Sequence, residues 1–260
     1  MELPIFGDNL RSSAAWSVAL EREREAWRRA QAPAEARTQH EVELRAEQVW
    51  HAAQRAGREV DQARVAQLAA SALEESNIAR VSADERAAAY LLGAARLVSA
   101  WAAEPEAALT VERLIALYRT LSGAQTEENV FRQMEIEPLS RGHNPAPAIL
   151  LPRLLENACS WFTAPSFAEI HVVEEAALVY LRLLDLQPFA TDQEQTALLA
   201  ASLYTERAGW PPLIIYSDEA TTARYAAAID AAFRMLTQPL VEFFAESLAR
   251  TIKQITGTSR

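Results

Sequence analysis

The chain has 260 residues and carries 25 Lys and Arg against 35 Asp and Glu, a formal charge of −10, so no protein-wide field draws it to nucleic acid or to an anionic membrane. Cys159 is its only cysteine, which excludes an intramolecular disulfide framework and a multi-cysteine metal site. With half of its residues hydrophobic and only 7 glycines, it is rich enough to bury a core and too poor in turn residues for an all-β fold; the expectation is all-α.

The start, "MELPIFGDNLRSS", lacks the basic and apolar regions of a signal peptide, and no run of about 18 apolar residues could span a bilayer, so a cytoplasmic location is expected. "SSAAWSVALEREREAWRRAQ" and "PAEARTQHEVELRAEQVWHAAQRAG" place Trp and Leu at helical spacing among Ala, Glu and Arg. They read as two helices hinged near Pro33, forming an N-terminal helical arm over residues 1–58, with one helical domain over 59–260. The arm's charges read as a solvated face or, second, as a partner surface.

Asp61 is placed to cap "DQARVAQLAASALEES", a helix expected to end near Asn77. "SADE" then forms a capping box between Ser82 and Glu85 and opens the long helix "ERAAAYLLGAARLVSAWAAE", which stops before Pro105. Thr110 caps "VERLIALYRTLSG", and Gly123 closes it. From Ala124 to about Pro147 the pattern becomes irregular, with at most a short hairpin-like pair around "FRQMEIE". Helices resume at "LLPRLLENACSWF", where Cys159 reads as a small buried hydrophobe, and at "FAEIHVVEEAALVYLRLLD". Another ends at Gly209 before "WPP", and two more, around "EATTARYAAAIDAAFRML" and "PLVEFFAESLARTIKQI", complete the chain. Trp101, Trp161 and Trp210 read as core or rim.

"QPFATDQEQTALL" holds the densest polar chemistry. Pro188 stops one helix, Phe189 anchors the turn, and Thr191 as N-cap would put Glu194 at the third helical position. "TDQE" then reads as a second capping box, with Asp192 adding negative charge to the positive end of the helix dipole.

The longer stretch "LVYLRLLDLQPFATDQEQTALLAASLYTERAGWPP" resembles the signature of the Fic family: a helix, His-Pro-Phe-x-Asp/Glu-Gly-Asn-Gly-Arg-x-x-Arg, a second helix and a Gly-x-Pro-Pro exit. The resemblance covers roughly residues 60–235, as pattern more than identity. It implies a Fic-like helical domain with a short irregular or β-hairpin flap, for which "FRQ" supplies Phe131 and Arg132. Upstream, "SALEESN" is similar to the family's inhibitory motif, with Ser71 and Glu75 aligned and Ser76 in place of the small sixth residue. Family members typically transfer AMP from ATP to a target hydroxyl, the Gly-Asn-Gly turn and helix N-terminus holding the phosphates.

The chemistry departs from that pattern position by position. Gln187 stands where the resemblance implies the histidine base, and a carboxamide cannot accept the target's proton; general-base help is typically worth about 10²–10⁴ in rate. Thr191 replaces the metal-binding acid. Asp192, Gln193 and Glu194 replace Gly-Asn-Gly, so side chains obstruct the backbone's approach to phosphate. A carboxylate about 4 Å from one phosphate charge costs on the order of 4 kcal/mol at an effective dielectric of 20. Gln195 and Leu198 stand for the two arginines, and Leu198 leaves Glu75 without the partner that the inhibitory glutamate has in the family.

The expectation is therefore a degenerate Fic-fold protein with no catalytic residue, metal or other cofactor, unable to transfer AMP and kept as a protein-interaction or regulatory module with a protein partner or as a homodimer. The alternative is a divergent Fic-type transferase or nucleotide-binding enzyme, taking ATP and Mg²⁺ in a rebuilt cleft, with Glu194, Asp192, Gln187 and His143 as its polar contributors. His40, His51, His143 and His171 have no metal-ligand spacing, and "HVVEE" at His171 reads as a partly exposed helix face.

Overall fold

A computed structural model describes residues 7–71, 81–104, 108–123, 130–140 and 142–257, with side chains from residue 16 onward. Among them are ten α-helices: α1 (Gly7–Ala30), α2 (Ala34–Arg55), α3 (Gln62–Ala70), α4 (Ala83–Ala102), α5 (Val111–Ser122), α6 (Leu151–Phe162), α7 (Val172–Leu186), α8 (Gln193–Arg207), α9 (Glu219–Phe233) and α10 (Gln238–Thr256). Among the described residues there is no strand, only one isolated antiparallel bridge between Phe131 and Phe189.

The helix starts follow the local cap chemistry. Asp61 accepts the Ala63 N–H at 3.3 Å, Thr110 accepts the Arg113 N–H at 3.2 Å, and Ser82 and Glu85 complete their reciprocal capping box. Gly123 ends α5 at φ 66°, the left-handed conformation that favours glycine.

Two boundaries differ from the expectation. Helix α3 ends at Ala70, with Ser71 extended, because the Arg96 guanidinium reaches in from α4 and donates to the Ala69 carbonyl at 2.6 Å and the Ser71 carbonyl at 3.1 Å. Glu75, Ser76 and the expected end at Asn77 lie outside the described residues. The helix expected from Phe167 starts only at Val172. Phe167 is buried against Trp161, Phe162 and Tyr204, and His171 is the N-cap, its Nδ1 accepting from the Val173 N–H.

Helix α8 is the axis of the molecule. Every residue from Thr196 to Thr205 is buried, and Ala197, Ala200 and Ala201 let its neighbours approach closely. It packs most extensively on α7 and also on α4 and α5; α1 lies along α10, and α2 packs on α3 and α4. Helix α1 is fastened to the exit of α8: Trp27 Nε1 donates to the Gly209 carbonyl at 3.1 Å, and Arg24 donates to that of Ala208 at 2.8 Å. Trp101 and Trp210 are buried, and Trp161 is partly exposed at the rim. Cys159 is buried, and burial first, then the Glu112 charge, pushes its thiol up to about 12.

Candidate functional site

The turn between α7 and α8 carries the signature-like residues. Gln187 ends α7 in the left-handed region (φ 41°), its N–H donating to the Leu183 carbonyl at 2.9 Å, and Asp192 precedes α8 in the same region (φ 52°). Two non-glycine residues at positive φ within six positions constitute a strained turn, which persists only when its surroundings over-determine it.

Arg132 supplies much of that restraint. It is buried, its backbone N–H donates to the Pro188 carbonyl at 3.0 Å, and its guanidinium donates to the carbonyls of Gln187 (2.8 Å), Met134 (2.9 Å), Leu186 (3.4 Å) and Ala146. This corrects the expected hairpin within 131–137: the segment pairs with the turn, not with itself, because the fork of Arg132 satisfies carbonyls at both ends. Phe189 anchors the turn. It is fully buried and stacks on Tyr118 at 4.2 Å between ring centroids. The flap's return is equally close. A Cβ on Gly142 would lie 2.7 Å from the Phe233 carbonyl oxygen, so only glycine lets that bend rest on the end of α9.

The second capping box does not form. Helix α8 begins at Gln193, Asp192 makes no side-chain cap, and the Thr191 hydroxyl donates to Asp192 Oδ2 at 2.8 Å and meets the Tyr118 hydroxyl at 3.4 Å. The left-handed turn at Asp192 starts the helix later than a Thr191 cap would, so Glu194 is its second residue. It is Gln193 that reaches back: its side chain pairs with both the N–H and the carbonyl of Phe189.

Glu194 instead meets the end of α2. Arg55, the last residue of α2, donates from Nε at 2.8 Å and approaches from Nη2 at 2.7 Å, both to Glu194 Oε1, and its guanidinium lies 4.3 Å over the Tyr225 ring. Arg58 sits 3.6 Å from Asp192. Burial opposes the Arg55 charge most strongly, yet the charge and hydrogen bond of Glu194 more than offset it, and the net shift is upward. Sequence reasoning counted only the cations lost at the positions of Gln195 and Leu198, the latter buried; it missed Arg55 and Arg58, for which "QRAGR" carries no local signal.

Two cavities flank the start of α8. One, of about 300 Å³, is lined by Leu139, Ser140, Gln187, Gln193, Glu194 and Tyr225, among others. Gln187 is only 8% exposed there, and its Nε2 has no partner. The other, of about 240 Å³, includes Arg58, Arg86, Tyr90, Asp192 and Gln195 in its walls. Burial, first, raises the phenols of Tyr180 and Tyr225, which share a 2.6 Å hydrogen bond.

His143 is committed to the fold. Nδ1 accepts from the Leu139 N–H at 2.9 Å, which leaves Nε2 to donate to the Asp185 carbonyl at 3.0 Å, and the ring stacks on Phe233. The alternative that enlisted His143 as a polar contributor to a cleft loses it for that reason. Ser71 makes local bonds at the end of α3, its hydroxyl to the Leu68 carbonyl. Among the described residues, no group of three His, Cys, Asp or Glu is placed to hold a metal ion, and no helix is long and apolar enough to cross a membrane. The arrangement offers amide, carboxylate and guanidinium groups: hydrogen bonding and charge pairing at a strained turn.

No family model matches the chain. Over 146 residues it is 25% identical to a curated relative, "Protein adenylyltransferase Fic" of Drosophila erecta; the match takes in 55% of this chain and 29% of the relative, so the chain spans less than a third of that protein's length. Among solved structures, Fic-1 of C. elegans (aa134–508) superposes with a TM-score of 0.76 at 19% identity, covering 95% of this chain and 73% of that one. IbpAFic2 covalently tethered to Cdc42 superposes with a TM-score of 0.51 at 17% identity, covering 80% and 63%.

Proposed function

This chain has the Fic fold and is related to the protein adenylyltransferases, and from that premise we propose that it does not transfer AMP and serves as a protein-interaction or regulatory module, in the cytoplasm. The observation that carries the reading is the state of the α8 N-terminus. A helix start is an anion site when its N–H groups and positive pole face an open space. Here Glu194 is engaged by Arg55, Asp192 faces Arg58, and the turn before them carries an amide, Gln187, in place of a base. The signature positions Pro188, Phe189 and Gln193 keep the turn's architecture without that chemistry.

The flap supports the interaction half. Met134, Leu139, Ile149 and Leu150 are exposed by 78%, 50%, 85% and 45%, four large apolar side chains from one segment whose backbone Arg132 holds in place. Large apolar side chains left exposed along this stretch suit a protein partner or a second copy of the chain. A structural neighbour with this fold, IbpAFic2, is covalently tethered to Cdc42.

The test is calorimetric titration with ATP and Mg²⁺, together with incorporation of labelled AMP. The wild-type chain is expected to give neither binding nor transfer, and the double variant Asp192→Gly, Glu194→Gly to gain ATP binding without transfer. Micromolar ATP binding by the wild type would refute the blocked site. If labelled AMP were also transferred, the second reading would stand: a divergent transferase or nucleotide-binding enzyme using the cavity beside Gln187, which the unpartnered Nε2 of that residue favours.

A further inference from the structure

A further cleft lies away from the signature turn, where α1 and α2 meet the far end of α8. It encloses about 490 Å³, within the roughly 300–1,000 Å³ of small-molecule sites. Three kinds of group meet in it. Trp27, Leu44, Trp210, Pro211 and Pro212 give flat apolar walls. Trp210 and Arg45, 3% and 5% exposed, each keep a buried donor with no acceptor: Trp210 Nε1 and Arg45 Nε. Two exposed arginines, Arg28 and Arg37, stand at the mouth against one exposed carboxylate, Glu41.

Each feature narrows the occupant. Buried donors without acceptors are costly, and neither is satisfied by the residues packed around it, although the other arm of Arg45 is fully used by Glu206, Gln48 and Ser99. Both atoms are shut off from solvent, so an occupant with a hydrogen-bond acceptor reaches them only by parting the wall. Tryptophan and proline faces favour a flat ring. Arg45 and Glu206 cancel each other, so the charge left at the mouth is positive on a chain of net charge −10. The cleft is also held in shape. Arg24 lies 4.9 Å over the Trp210 ring while bonding the Ala208 carbonyl, and Trp27 is fixed to Gly209.

We propose that this cleft binds a small organic anion: a carboxylate or sulfonate on a flat aromatic body, its ring between Trp27 and Trp210 and its acid group towards Arg28 and Arg37. The site joins α1 and α2 to the end of α8, so its occupancy also fastens the arm.

The full chain is titrated with 8-anilinonaphthalene-1-sulfonate, an aromatic anion that fluoresces when desolvated, and with its uncharged parent N-phenyl-1-naphthylamine. One saturable site for the anion is expected, with the uncharged parent at least ~10-fold weaker. Arg28→Glu with Arg37→Glu, both exposed, should weaken the anion at least ~10-fold and leave the parent unchanged. Ala102→Phe, which fills the cleft, should abolish both. If that variant fails to fold, Ala32→Trp, at an exposed position of the same wall, replaces it. Absence of saturable binding, or binding that ignores the cleft-filling substitution, overturns the site. Equal affinity for the two probes overturns the anion.

Discussion

Breaking the Arg55–Glu194 contact from either side should cost unequal amounts. The side chain of Arg55 is 10% exposed and that of Glu194 34%. Removing one partner of a fully buried pair typically costs about 3–5 kcal/mol, because the survivor is left charged in a dry place. Glu194 can recover much of its hydration, so Arg55→Met should cost about 1–2 kcal/mol, including the contact with Tyr225. Arg55 cannot, so Glu194→Gln should cost more, about 2–3 kcal/mol, with the amide only partly replacing the carboxylate. The double variant Arg55→Met, Glu194→Gln closes a cycle whose coupling should be about 1–2 kcal/mol. The control is Arg224–Glu246, exposed by 58% and 56%, whose coupling should stay below about 0.5 kcal/mol. Urea denaturation at constant m reads the wild type and the six variants of the two cycles. A coupling at Arg55–Glu194 no larger than the control's would refute the claim that Arg55 holds Glu194 at the start of α8.

Three further outcomes follow from named contacts. Arg132→Lys keeps the charge but loses the fork across the carbonyls of Gln187, Leu186, Met134 and Ala146, so it should cost about 2–3 kcal/mol and speed limited proteolysis within 130–147; unchanged cleavage would count against the clamp. Burial raises the Glu175 carboxyl, with the Arg207 charge pulling the other way, so the folded state holds that proton more tightly than the unfolded chain. Its contribution is full below about pH 4.3 and is lost as pH rises through the raised value. Glu175→Gln should therefore stabilise by about 0.5–1 kcal/mol at pH 7 and have no effect near pH 4, read from urea midpoints at the two pH values. Cys159, its thiol pushed up to about 12, should resist iodoacetamide at pH 8 in the folded chain and react once unfolded; rapid native labelling would contradict its burial.

The sequence was legible where the deciding interaction is local. The caps at Asp61, Ser82 and Thr110 each involve partners within three residues, the end at Gly123 needs only its own left-handed backbone, and all four stand. The same reasoning failed at "TDQE", which carries the capping-box pattern as fully as "SADE" does. Between the two, what differs is context. Ser82 and Glu85 start a helix on the surface, whereas Glu194 has Arg55 within reach, 139 residues away, and Asp192 is held in a left-handed turn that Arg132 restrains from 55 residues away. Helix α3 ended early for a similar reason, Arg96 capping it from 27 residues downstream. Arginines reaching across the fold are invisible to spacing rules, and they set most of what was missed.

Helix polarity accounts for the Arg55–Glu194 contact. Arg55 occupies the last turn of α2, where a cation is favoured, and Glu194 the first turn of α8, where an anion is favoured. Each charge suits its own helix before the two meet, so the pair joins a negative pole to a positive one with matching side chains. Taking away the two carboxylates would leave the α8 N-terminus facing Arg55 and Arg58, with Asp84, 3.9 Å from Arg58, the carboxylate still beside them. That excess of positive potential is why Asp192→Gly with Glu194→Gly is expected to admit ATP although Gln195 and Leu198 supply no cation. It is also why transfer should stay absent: phosphate binding would be restored from the arm, but Gln187 would still have no means of taking the proton.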